Sequence, residues 1–128
     1  MNRFLVCLTT FAVAIAAHAQ VSPPLAPVPE NLGLGLKQLV EISQSDQAEL
    51  KSRMSSAPAV NADNSGRVVV NIQLNGTAPL RELEAKLVEL GLEIIATDSQ
   101  WRAGVISAWL PLSQAVAVAN LPGVRSVT

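Results

Sequence analysis

From Arg67 onward the apolar residues switch from a spacing of two to helical spacing and back, twice in succession. Few chains can satisfy that rhythm. Val68, Val70, Ile72 and Leu74 alternate with Val69, Asn71 and Gln73, which reads as a half-buried strand. Asn75-Gly76 ends it, Thr77 is placed to cap a helix, and Pro79 falls in that helix's first turn. Leu80, Leu83, Leu87 and Leu90 then form one apolar stripe, and Gly91 is suited to a left-handed helix end. A second strand over 92–97 carries Leu92, Ile94 and Ala96 on one face. A third, over 101–110, opposes Ile106, Ala108 and Leu110 to Val105, Ser107 and Trp109. Being apolar on both faces, it belongs in the middle of a sheet. Ser113 can cap a short helix to Asn120, with Val116 and Ala119 inward, and Leu121-Pro122-Gly123 stops it before a last strand over 124–127.

The order strand, helix, strand, strand, helix, strand predicts an α+β fold. The arrangement expected is a ferredoxin-like βαββαβ two-layer sandwich, with a four-stranded antiparallel sheet and both helices on one side. The same fold hosts many unrelated activities, so it does not by itself assign one.

Upstream, Arg3 precedes an apolar run from Phe4 to Ala17, and Ala17-His18-Ala19 has the small-x-small pattern of a signal-peptidase site. The run is shorter than the roughly 20 residues of a membrane span. Cleavage is therefore expected between Ala19 and Gln20, with export to the periplasm, cell surface or medium and no stable membrane span afterwards. Pro23, Pro24, Pro27 and Pro29 make 20–35 an extended spacer. Leu36, Leu39, Val40, Leu50 and Met54 indicate one helical segment over 36–56, thinning at Ser43-Gln44-Ser45. The small and polar stretch 57–66 reads as a linker, and 67–128 as the folded domain.

Removing the signal also removes Cys7, His18, Phe4 and Phe11. What is left has eight Lys/Arg against ten Asp/Glu, a net charge of −2, and only Trp101 and Trp109 as aromatics. Without histidine or cysteine there is no Ser-His-Asp or Cys-His pair, no His/Cys zinc site and no disulfide. A near-neutral chain with two aromatics lacks the basic stripe and stacking platform of a nucleic-acid binder. Asp63, Glu82, Glu84, Glu89, Glu93 and Asp98 read as solvated surface carboxylates. No enzyme, metal or cofactor is expected.

A two-layer sandwich leaves one sheet face bare. That face would carry Val69, Asn71, Gln73, Ile95, Val105, Ser107 and Trp109, with Arg125 at its edge. Such a surface is either a docking site or the seat of the upstream helix. A domain of about 60 residues buries only about 60% of its unfolded surface, so a partner would also stabilise it.

Taken in order, several short segments resemble the prodomains of subtilisin-like serine proteases, as found near the N-terminus of bacterial secreted subtilases. They are Arg67-Val68-Val69-Val70, Leu87-Val88-Glu89-Leu90-Gly91, Leu92-Glu93-Ile94-Ile95, Leu110-Pro111-Leu112 and Leu121-Pro122-Gly123-Val124-Arg125-Ser126-Val127. The resemblance covers about half of the chain. It implies a folding chaperone and temporary inhibitor, acting in cis or in trans on a subtilisin-like protease. The docking face carried over is Val69, Asn71, Ser107 and Trp109. The segment directed into the substrate cleft would begin at Arg125, Ser126, Val127 and Thr128, and the chain would be a fragment or detached N-terminal part. The alternative is a free-standing envelope adaptor or structural protein that uses the same fold for contact with another envelope protein.

Overall fold

The computed structural model describes residues 27–56 and 61–128. The expected signal peptide, its cleavage point at Ala19 and Gln20, most of the proline-rich spacer and residues 57–60 lie outside the described residues. The described chain is mixed α and β, with helices α1 (Leu34–Ser45), α2 (Gln47–Ser56), α3 (Leu80–Glu89) and α4 (Ala115–Ala119). Strands β1 (Arg67–Leu74), β2 (Glu93–Asp98), β3 (Val105–Pro111) and β4 (Val124–Val127) form one sheet in the order β2-β3-β1-β4, with every neighbouring pair antiparallel.

The alternation along β1 and β3 decides which face is buried. Val68, Val70, Ile72, Ile106, Ala108 and Leu110 are at most 3% exposed. They meet Leu83 and Leu87 of α3 and Ala115, Val118 and Ala119 of α4 in one apolar cluster. At about 25 cal/mol per Å² of apolar surface removed from water, this layer is the main source of stability. The third strand does take a middle position, between β2 and β1, although it starts at Val105 and not at Trp101. In α4 the fully buried residues are Ala115 and Val118, while Val116 is only partly covered.

Two glycines do work that a side chain would prevent. Gly91 (φ +89°) follows α3, where its N–H donates to the Val88 carbonyl and the Leu92 N–H donates to the Leu87 carbonyl. That pair of bonds is the Schellman ending, and it turns the chain straight into β2. Gly123 (φ +97°) precedes β4, and a Cβ there would lie 2.8 Å from the Cβ of Ala78. Neither cap foreseen from the sequence forms. α3 opens at Pro79 with no side-chain cap, because the Asn75 carboxamide oxygen takes the Thr77 N–H (2.9 Å) and hydroxyl (2.6 Å) instead. At the other helix a 3₁₀ turn over Leu112–Gln114 runs directly into α4, also with no side-chain cap.

The N-terminal part differs most from expectation. The single helix is two, broken at Asp46, whose carboxylate accepts the N–H groups of Ala48 (2.9 Å) and Glu49 (3.0 Å) and so starts α2 afresh. Leu36, Leu39, Val40 and Leu50 are buried in the same cluster as the sheet residues. The described end of the spacer is not a free tether. The Asn31 carbonyl accepts from the Val127 N–H and the Gly33 N–H donates to the Val127 carbonyl, while Leu32 is 5% exposed. The Asn31 amide also donates to the Ala119 carbonyl at 2.7 Å. Residues 61–63 pair with the part of β1 that β4 does not reach, through Val69 N–H to the Asn61 carbonyl and Asp63 N–H to the Arg67 carbonyl. The packed unit therefore extends well upstream of Arg67. A strand edge that would otherwise offer bare N–H and C=O groups is covered by its own chain.

Candidate functional site

The residues carried over as a docking face come together on the two central strands. The β1–β3 register sets Val69 opposite Trp109 and Asn71 opposite Ser107. The Ser107 hydroxyl donates to the Asn71 carboxamide oxygen at 2.7 Å, a cross-strand tie in the exposed face. Val69, Ser107 and Trp109 are half-buried and Asn71 is exposed, flanked by Gln73 and Val105 on the same side. α1 does not roof them. Its buried side chains join the cluster containing Val68, Val70 and Leu112, so it extends the core on the other side of the sheet.

One end of this face is held by charge. Arg67 reaches the Asp63 carboxylate through Nε (2.6 Å) and the Glu93 carboxylate through an Nη (2.9 Å). Its guanidinium lies 5.7 Å from the centroid of the Trp109 ring, inside cation–π range. Asp63 also accepts the backbone N–H of Arg67 and both the hydroxyl and the N–H of Ser65. The Arg67 N–H bond is the largest cause, followed by the Ser65 hydroxyl, that holds the Asp63 carboxyl well below the usual carboxylate range. The same contacts, Asp63 first and then Glu93, raise the Arg67 pKa. Asp63 and Glu93 are thus not merely solvated, as the sequence suggested. They clamp Arg67 and hold its guanidinium near the Trp109 ring. The readable signal was an Asp and an Arg four residues apart across Asn64-Ser65-Gly66, a turn that returns one side chain to the other.

Of the other foreseen residues, Arg125, Ser126 and Val127 form β4, and Thr128 exchanges both backbone hydrogen bonds with Asn71. Val127 is fully buried, so these four residues belong to the sheet. The register shift at Gln73/Leu74 leaves Val124 and Val127 inward and puts Arg125 and Ser126 on the open side. Ile95 is 52% exposed and is the unpaired residue at an irregularity of β2 between Ile94 and Ala96. A bulge of this kind on an outer strand discourages pairing with other chains.

The face offers an indole, a β-branched side chain, a carboxamide and a hydroxyl, which suits apolar contact and neutral hydrogen bonding. Among the described residues no three His, Cys, Asp or Glu side chains gather as a metal site. No helix among them is long and apolar enough to cross a membrane. Compared with known proteins, the chain matches no family model, no curated protein and no solved structure.

Proposed function

We propose that the chain is an exported, non-catalytic binding module of the subtilase-prodomain kind, docking the open face of a ferredoxin-like sandwich onto a subtilisin-like serine protease. The observation that carries the reading is the contiguous patch of Val69, Asn71, Ser107 and Trp109, left uncovered while the other face of the same strands is sealed. The strand order β2-β3-β1-β4, with α3 and α4 sharing the core of one face, supports the ferredoxin-like description. Export rests on the N-terminal signal pattern of residues 1–19. In this reading the patch supplies an aromatic anchor ringed by polar groups, the composition of an interface centre. Arg125–Thr128, held in the sheet, would lead toward the substrate cleft and not lie in it.

The test is a calorimetric titration of the chain into an active-site-blocked subtilisin-type protease. Saturable one-to-one binding is expected, weakened at least tenfold by Trp109→Glu, since burying an unpaired charge at an interface centre is costly. Equal binding by this variant removes the docking face. No binding, together with dimers seen by light scattering, would favour the envelope adaptor.

A further inference from the structure

A second feature lies at the end of the sheet where β1 leaves and β3 and β4 enter. A notch of about 300 Å³ is lined by Gln73 and Asn75 from β1 and its turn, Arg125 from β4, and Trp101, Arg102 and Gly104 from the β2–β3 loop. Every charged side chain lining it is a cation. Among the described residues neither Arg102 nor Arg125 has a carboxylate within ion-pair distance, in contrast to Arg67 with two. The nearby Asp98 carboxylate is turned to its own loop, accepting the N–H groups of Gln100 and Trp101. Asn75 uses its carboxamide oxygen on Thr77, and its amide N–H₂ has no intramolecular acceptor among the described residues.

The backbone adds an independent sign. Arg102 has φ +53°, the one non-glycine at positive φ among the described residues. That conformation is unfavourable for a residue with a Cβ, and such outliers concentrate at functional sites. The Arg102 guanidinium lies 4.7 Å from the Trp101 ring centroid. The stacked guanidinium keeps its in-plane N–H groups, which suit a carboxylate, and the indole remains 43% exposed beside it.

We infer that this notch is a carboxylate-binding site, in which Arg102 and Arg125 receive an acidic side chain of the protein docked on the open face, beside an apolar residue lying on Trp101. The inference deepens the docking proposal by naming the chemistry of the partner where it meets this end of the sheet. It also accounts for the register shift in β4, which turns Arg125 to the open side.

The test uses the full ¹⁵N-labelled chain and a blocked peptide, acetyl-Ala-Glu-Leu-Glu-Ala-amide, with its Gln-for-Glu counterpart as control. The acidic peptide is expected to shift the Trp101 indole and the Arg102 and Arg125 side-chain signals saturably. The Gln peptide should bind at least tenfold more weakly, as should the acidic peptide to an Arg102→Gln/Arg125→Gln variant that keeps the wild-type spectrum elsewhere. Equal shifts with both peptides, or unchanged binding by the variant, would overturn the assignment. So would shifts caused by inorganic phosphate but not by the acidic peptide, which would mark a small-anion site. The titration involves no protease, so its failure leaves the docking proposal standing. Failure of the docking proposal in turn leaves these shifts in place.

Discussion

The two faces of the central strands are built from neighbouring residues and have opposite fates. On one side Val68, Val70, Ile72, Ile106, Ala108 and Leu110 vanish beneath α3 and α4. On the other, one residue away each time, Val69, Asn71, Ser107 and Trp109 stay in reach of solvent. The covered face holds only aliphatic side chains, and all of its stabilisation comes from packing. The open face carries a hydrogen-bonded Asn–Ser pair and an indole steadied by a clamped arginine. The difference divides one strand pair: burial on one face sets stability, and the exposed remainder is the surface on which the proposed docking rests.

The largest break in that comparison comes from truncating adjacent residues of β3. Leu110→Ala removes a fully buried side chain and is expected to cost about 2–5 kcal/mol. Trp109→Ala, despite deleting a larger group, should cost about 1 kcal/mol, through a half-exposed ring and one cation–π contact. Urea midpoints measured on both variants check the ratio, and equal losses would mean that the open face carries folding energy. Next in size is Gly123→Ala. It places a Cβ 2.8 Å from that of Ala78 and imposes a positive φ on a non-glycine, so a loss of about 1–3 kcal/mol is expected.

The smallest effect sharpens the description of the clamp. The native Asp63 carboxyl has a depressed pKa, so it holds a proton less readily than it would in the unfolded chain. Its stabilising contribution is complete above the ordinary carboxylate value of about 4, and is lost as the pH falls from there through the depressed native value. Asp63→Asn should therefore show a flatter fall in urea midpoint between about pH 5 and pH 2 than the wild type. Parallel curves would show that the clamp contributes nothing to folding.

Much of this arrangement was legible because periodicity reports burial directly. β1, α3 and β3 could be read because each holds a single period over its length, and that period is what the packed layers require. Elements governed by competition between side chains could not. Asn75 engages the hydroxyl of the sequence's evident capping residue, Thr77, and Asp46 divides a helix whose apolar pattern only thins at Ser43-Gln44-Ser45. The spacer offered only prolines to read, yet Leu32 completes the edge of β4 by a contact almost a hundred residues away along the chain. For the open face, the alternation was enough to place Val69, Asn71, Gln73, Val105, Ser107 and Trp109 on one side, and the choice of four among them came from the prodomain resemblance. The Asp63–Arg67 half of the clamp had a local signal in its turn, whereas the Glu93 contact and the Arg102–Arg125 notch depend on which segments meet, and no local pattern encodes that.

The two tryptophans provide the most direct measurement, since Trp109 lies on the open face and Trp101 in the β2–β3 loop. Their indole N–H signals should be followed while an active-site-blocked subtilisin-type protease is added to the labelled chain. The account predicts a saturable shift or broadening at Trp109, with the buried methyl groups of Ile72, Ile106 and Leu110 keeping their fold. An unmoved Trp109 signal at saturating protease would contradict it.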